Sequence, residues 1–338
     1  MNELTKSNRR SFLQSAALGV AVGALGMAPE SKAKPLERRS NNSFGTIRQV
    51  NAGPLDIGYA EVGPANGRPV ILLHGWPYDI HSYVDAAPLL AAAGLRVIVP
   101  YLRGYGSTRF LSADAVRNGQ QAATGSDVIS LMDALHIDRA VLAGFDWGAR
   151  TAAVVAALWP ERCQSLVSVS GYLITNIEFN KQPLPPAAEL GWWYQYYFAT
   201  ERGRVGYEKN RRELAKLIWK IASPRWAFDD ATFDRSATAF DNPDHVAIVI
   251  HNYRWRLGLA AGEAQYDPIE ARLQQAPVIT VPTITIGSDF DGASADGKPY
   301  AAKFSARRAH RILNGIGHNV PQEAPEAFAA AVIEASGY

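Results

Sequence analysis

Ala140-Val141-Leu142-Ala143-Gly144-Phe145-Asp146-Trp147-Gly148 is the stretch that decides the fold. Four apolar residues in a row suit a strand buried on both faces, and residues 149–158 continue with helical spacing. A carboxylate therefore falls at a strand-to-helix turn, between glycines that leave room for a tight bend. Asp is also a common helix N-cap, and on this pentapeptide alone the two readings weigh about equally.

Outward from that turn, the same alternation recurs. Val70 to Leu73 and Arg96 to Pro100 are further buried-strand runs, while Ala86 to Ala93 and Gly125 to Leu135 have helical spacing. Strand alternating with helix predicts an α/β fold: a mostly parallel central sheet with helices on both faces. From about Leu173 to Arg272 aromatics, charges and prolines replace the short strands, with helices such as Arg211 to Ile221. Val281 to Ile286 then restores a strand, and Glu326 to Ala335 reads as a closing helix. A segment that long without strands predicts an inserted helical cap rather than a loop, placed over the carboxyl ends of the strands. The expected organisation is a core over 44–172, a cap over 173–272 and a second core segment over 273–338.

Composition narrows the function. The chain has 338 residues, 47% hydrophobic, with a net charge of +2. No basic run interleaves with aromatics, which argues against nucleic acid as a partner. A single cysteine, Cys163, excludes an internal disulfide, and the seven histidines form no His-Glu-x-x-His pattern, so no metal is expected. Residues 1–33 resemble a twin-arginine export signal: Arg9-Arg10-Ser11-Phe12-Leu13-Gln14, an apolar stretch from Ser15 to Ala28, and Ser31-Lys32-Ala33 as a small-x-small cleavage site. Residues 34–43 read as a linker. The expectation is a periplasmic or secreted protein without stable membrane association once the signal is removed. The alternative is a membrane anchor left uncleaved, for which the stretch is short and weakly apolar.

Three more sites join Asp146. His74-Gly75-Trp76-Pro77 directly follows the strand Val70–Leu73, so the N–H groups of Trp76 and Trp147 are placed to hold an oxyanion. His318, in Gly315-Ile316-Gly317-His318-Asn319, comes late in the chain after Arg311-Ile312-Leu313. Between them Asp291 follows the strand ending at Ile286, with Asp289 as its competitor; Gly292 beside Asp291 favours the former. The order nucleophile, acid, histidine is that of a hydrolase triad.

With these motifs the chain resembles the α/β-hydrolase superfamily over about Phe44 to Tyr338, and most of all its branch of epoxide hydrolases and haloalkane or haloacetate dehalogenases. Arg103-Gly104-Tyr105-Gly106-Ser107 is another turn of that family. Tyr101 stands where the family usually has Asp, and Phe145 where epoxide hydrolases often have His. The resemblance implies Asp146 as nucleophile, His318 as general base and Asp291 as the acid that orients it. It also implies two cap tyrosines that donate to the epoxide oxygen. Tyr194 and Tyr253 match those segments, with Tyr196 or Tyr197 as substitutes for Tyr194 and plain aromatic packing as the alternative. His74, Pro77, Trp147 and Trp193 are expected to line the substrate pocket.

The expected reaction opens an epoxide to a vicinal diol through an aspartyl ester, on a small apolar substrate and with no cofactor. A dehalogenase using the same ester chemistry is the rival. Trp147 suits halide binding, with Trp76, Trp192 or Trp193 as the second halide ligand. The absence of Arg directly after Asp146 argues against haloacetate. A ligand-binding protein that kept the fold without turnover is the reading from another class; every catalytic position holds a competent residue, which argues against it.

Overall fold

Nine strands form one sheet in the computed structural model, which describes residues 43–294 and 296–338. The expected signal and linker lie outside the described residues, Ser43 apart. β1 (Arg48–Ala52), β2 (Leu55–Val62) and β5 (Arg109–Phe110) make an antiparallel edge that joins β4 (Leu95–Pro100) through β2. From β4 the sheet runs parallel through β3 (Arg68–Leu73), β6 (Ala140–Gly144), β7 (Cys163–Val169), β8 (Thr283–Ser288) and β9 (Arg308–Leu313).

Residues 70–73 and 140–143 are wholly buried, as continuous apolar runs in a sheet covered on both faces should be. Each buried Val, Leu or Ile there contributes about 1.5–3 kcal/mol. The covering helices are α1 (Ala86–Ala92), α2 (Gln121–Ala134), α3 (Trp147–Leu158) and the closing helix Pro325–Ser336; α1 packs on the closing helix and α2 on α3. The strand expected at 281–286 lies two residues later. Pro282 has no N–H for the ladder, and pairing with β9 carries the strand on to Ser288.

Between β7 and β8 the described chain contains helices and no strand. Three of them, α4 (Tyr194–Ala199), α5 (Glu201–Ala222) and α6 (His245–Arg256), pack on one another. Thr200 caps α5 by accepting the N–H of Gly203, and Glu201 in its first turn suits the positive end of the helix dipole. A register fact prepares the site: Leu73 pairs with Gly144. The segments after β3 and β6 therefore leave the sheet side by side, where the direction of strand succession reverses and open α/β sheets bind ligands.

Candidate active site

Asp146 stands at φ 51°, ψ −121°, a strained backbone for a residue with a side chain, and makes no capping hydrogen bond to α3. The helix-cap reading therefore does not describe it. Close packing forces glycine on both sides of the approach: a Cβ on Gly148 would lie 1.8 Å from the Leu73 carbonyl oxygen, and one on Gly75, after β3, 2.4 Å from Asp146 Cβ. That approach lets the Trp76 N–H donate to Asp146 Oδ1 at 2.7 Å. The Trp147 N–H is the first of α3 and by position lacks an intrahelical acceptor.

The other carboxylate oxygen, Oδ2, faces His318 Nε2 at 3.5 Å. Burial alone would raise the Asp146 pKa. His318, the Trp76 amide and Arg150 overcome it and hold the carboxyl below the usual range, which favours an ionised nucleophile. The loop carrying His318 is braced by a group the sequence reading missed. Glu323, buried, accepts the N–H groups of Gly317 at 2.7 Å and Asn319 at 3.0 Å, plus the Ser223 hydroxyl at 2.6 Å. Ser223 in turn accepts the His318 N–H at 3.0 Å, tying the loop to the end of α5. Burial raises the Glu323 pKa despite these donors.

The expected acid does not meet the histidine. Asp291 Oδ2 accepts the Ser288 N–H at 2.8 Å, while His318 Nδ1 is buried without a hydrogen bond among the described residues. Asp289 is turned away: it accepts the Gly315 N–H and pairs with Arg225. Phe290, between the two aspartates, lies with its ring centroid 4.1 Å from that of His318.

Two tyrosines converge above Asp146. The rings of Tyr194 and Tyr253 lie 5.0 and 5.2 Å from Trp76 and 5.5 Å from each other, and Tyr253 is 5.9 Å from Trp147. Burial and the Asp146 charge raise both phenols, so both are held as protonated donors. Tyr196 instead points outward to Glu189, and Tyr197 packs on Trp193 and Phe198.

Other expected pocket residues are occupied by the scaffold. His74 is buried, with Nδ1–H donating to the Gly75 carbonyl and Nε2 accepting the Leu102 N–H, both at 3.1 Å. Burial pulls its pKa down to about 4, so it is a neutral structural ring rather than a substrate contact. The Pro77 carbonyl accepts the Trp219 indole N–H. Trp193, half-buried, touches Tyr194 at the site's edge. Trp76 is held from behind: its indole donates to Tyr207, whose hydroxyl donates to His245 Nε2, whose Nδ1–H donates to the Gly104 carbonyl. A hollow of about 430 Å³ between Arg117, Arg204 and Arg254 lies elsewhere on the cap and holds none of these groups.

Among the described residues no cluster of His, Cys, Asp and Glu is placed to hold a metal, and no helix is long and apolar enough to cross a membrane. The arrangement can present an ionised carboxylate, an amide donor on that carboxylate, two phenolic donors and an imidazole to one reacting centre. It is therefore suited to displacement at carbon followed by hydrolysis of the resulting ester.

Known proteins agree with this architecture. Residues 68–204 match the family described as alpha/beta hydrolase fold. Epoxide hydrolase B of Mycobacterium tuberculosis is 33% identical over 319 residues, covering 77% of this chain and 88% of that one. A haloalkane dehalogenase of Mycobacterium marinum is 34% identical over 245 residues, 68% of this chain and 78% of its own. A crystal structure of a candidate epoxide hydrolase from Klebsiella pneumoniae superposes with a TM-score of 0.86 at 59% identity, covering 89% of this chain and all of that one. With the elbow, the sheet and these relatives in agreement, the chain belongs to the α/β-hydrolase superfamily, among the relatives of the epoxide hydrolases.

Proposed function

We propose that this protein hydrolyses epoxides to vicinal diols through an ester on Asp146. The observation that carries the reading is the pair of buried phenols, Tyr194 and Tyr253, converging on Trp76 above the nucleophile. Asp146 Oδ2 attacks an oxirane carbon, the carbon–oxygen bond opens, and the departing alkoxide takes a proton from one phenol while the other donates to it. Oδ1 becomes the ester carbonyl oxygen, already bound by the Trp76 N–H. Water then adds to the ester carbonyl carbon and gives its proton to His318. The tetrahedral oxyanion rests on the amides of Trp76 and Trp147, and its collapse releases the diol and restores the carboxylate. The proton held by His318 returns to the tyrosinate through solvent. Asp291 serves as the orienting acid once it exchanges Ser288 for His318 Nδ1, which has no partner to give up.

One observation favours a second reading. The Trp147 indole N–H, buried beside Tyr253, has no acceptor at normal hydrogen-bond geometry among the described residues, which suits a halide cradle, and halide release from haloalkanes would use the same carboxylate and histidine. Parallel measurement of diol and halide release from epoxides, haloalkanes and haloacetates separates the two. Diol without halide supports the epoxide reading; halide without diol overturns it. Export is proposed as well, on the strength of Arg9-Arg10 and the apolar stretch after them. It requires that Arg9→Lys with Arg10→Lys leave the protein in the cytoplasmic fraction.

A further inference from the structure

One cap helix grips the oxyanion turn at two points. Tyr207 lies in the first half of α5 and Trp219 in the second, and Asn210 (φ −124°, ψ 27°) breaks the helix between them. Their partners are adjacent core residues. The Trp76 indole N–H donates to the Tyr207 hydroxyl at 2.9 Å, and the Trp219 indole N–H donates to the Pro77 carbonyl at 2.7 Å. Trp76, Tyr207 and Trp219 are all buried. On a straight helix, side chains with the spacing of Tyr207 and Trp219 would point about 120° apart. The break at Asn210 falls between them and lets both reach neighbouring residues.

Each grip has a fixed direction. The Gly104 carbonyl can only accept, so His245 carries its proton on Nδ1 and accepts through Nε2. The Tyr207 hydroxyl therefore donates to His245 at 2.8 Å and keeps its lone pairs for Trp76. Burial pulls His245 down to about 3, which keeps the ring in that neutral form. On the other half of the helix, Trp219 stacks on Tyr78 at 4.9 Å and on Trp226 at 5.2 Å. Directly after α5, Ser223 accepts the His318 N–H, so the same helix also reaches the loop of the base. A Cβ on Gly317 would lie 2.5 Å from Ser223 Cα, so only glycine permits that approach.

We infer that Tyr207 and Trp219 are positioning residues for the oxyanion amide. Through the Trp76–Pro77 turn, α5 sets where the Trp76 N–H stands against Asp146 Oδ1. The inference rests on the ester route of the proposed function. In the first step Oδ1 passes from carboxylate to ester carbonyl and loses charge. The amide there favours the reactant at least as much as the transition state. In the second step water adds to that carbonyl and charge gathers on the same oxygen, where a misplaced donor costs rate. A displaced Trp76 N–H therefore slows ester hydrolysis and spares ester formation. Loss of packing alone does not tell the two steps apart.

The test uses the full chain and styrene oxide, with rapid quenching and mass spectrometry to follow formation and decay of the Asp146 ester separately. Trp219→Phe deletes the indole N–H and keeps a ring in the stack; Tyr207→Phe deletes only the hydroxyl. In each variant ester decay should slow by about tenfold or more while ester formation stays within about threefold, so the ester accumulates. Thr200→Ala is the control for a loosened helix, because it removes the cap of α5 and neither grip. It should lower the urea midpoint and leave both rates within about twofold. Equal slowing of both steps in the Phe variants overturns the inference, and so does ester decay at the native rate. A Thr200→Ala protein that reproduces the split also overturns it, since the effect would then belong to the helix as a whole. If the unaltered protein forms the ester from 1-bromobutane but from neither styrene oxide nor 1,2-epoxyhexane, the epoxide reading falls. The positioning of the amide is then read from the decay of the butyl ester, with the same expected split. No ester from any of the three compounds overturns both.

Discussion

His318 Nε2 faces Asp146 Oδ2 across 3.5 Å, too far for a strong hydrogen bond and close enough for the imidazole to serve the same carboxyl carbon in a later step. The Trp76 amide holds the other oxygen at 2.7 Å. The two carboxylate oxygens are thus already distinguished, one for attack and one for the oxyanion site.

That asymmetry predicts a separable second step. His318→Gln should slow ester hydrolysis by about 10²–10⁴-fold while leaving attack possible. Mass spectrometry of the variant after exposure to an accepted epoxide should show one covalent adduct on the peptide containing Asp146. Asp146→Asn should show neither adduct nor turnover. A His318→Gln protein that turns over freely, or never carries an adduct, would refute the covalent route.

The phenols make a sharper claim about the leaving group. Removing either donor, as Tyr194→Phe or Tyr253→Phe, should lower kcat for epoxide opening by about 10²-fold, the usual loss for one donor to a developing oxyanion. The double variant should lose more still, yet spare any halide release, since halide needs no proton. Near-native epoxide turnover in the double variant would leave the two tyrosines as packing.

Glu323 is argued from a different quantity, the count of donors it satisfies. Glu323→Ala strips acceptors from two buried N–H groups and one hydroxyl around His318, at a cost of about 3 kcal/mol or more. Urea unfolding should show that loss. Glu323→Gln, which keeps one acceptor oxygen, should recover part of the stability and part of kcat with little change in KM. A Gln variant as damaged as the Ala variant in kcat, but fully stable, would point to a role for the charge itself.

The sequence made the elbow legible because a buried strand, a tight turn and a helix each leave a periodic signature in 140–158. The same holds for the strands that deliver Trp76 and His318. Tyr194 could be named only as one of three neighbouring tyrosines; its selection depends on which face of a six-residue helix meets Trp76, which period alone does not fix. Asp291 was chosen for its neighbouring glycine, but its carboxylate is taken by Ser288, a local turn contact between residues three apart. His74 read as a pocket residue from its place beside the oxyanion turn, whereas both ring nitrogens bind backbone. Glu323 with its donors and the Trp76–Tyr207–His245 chain are assembled across distant elements, so nothing local marks them.

The two buried histidines give a prediction about acid. Burial lowers His74 to about 4 and His245 to about 3, against an ordinary value of 6.5. Above pH 6.5 both are neutral folded or unfolded and add no pH dependence. As the pH falls from 6.5 toward 4, the unfolded chain binds protons that the folded chain refuses. Stability therefore drops by up to about 1.4 kcal/mol per pH unit for each ring. Glu323 and Glu270, both raised by burial, act in the opposite sense, because the folded state takes up their protons first as the pH falls. The difference between the unaltered protein and His245→Gln isolates one ring from that background. Measured as the urea midpoint from pH 7 to pH 4, the gap between them should be largest at pH 7 and narrow steadily below 6.5, because the variant no longer carries the refused proton. A constant gap across that range would mean that His245 is charged inside the fold. The chain from Trp76 through Tyr207 to the Gly104 carbonyl would then need a different set of donors.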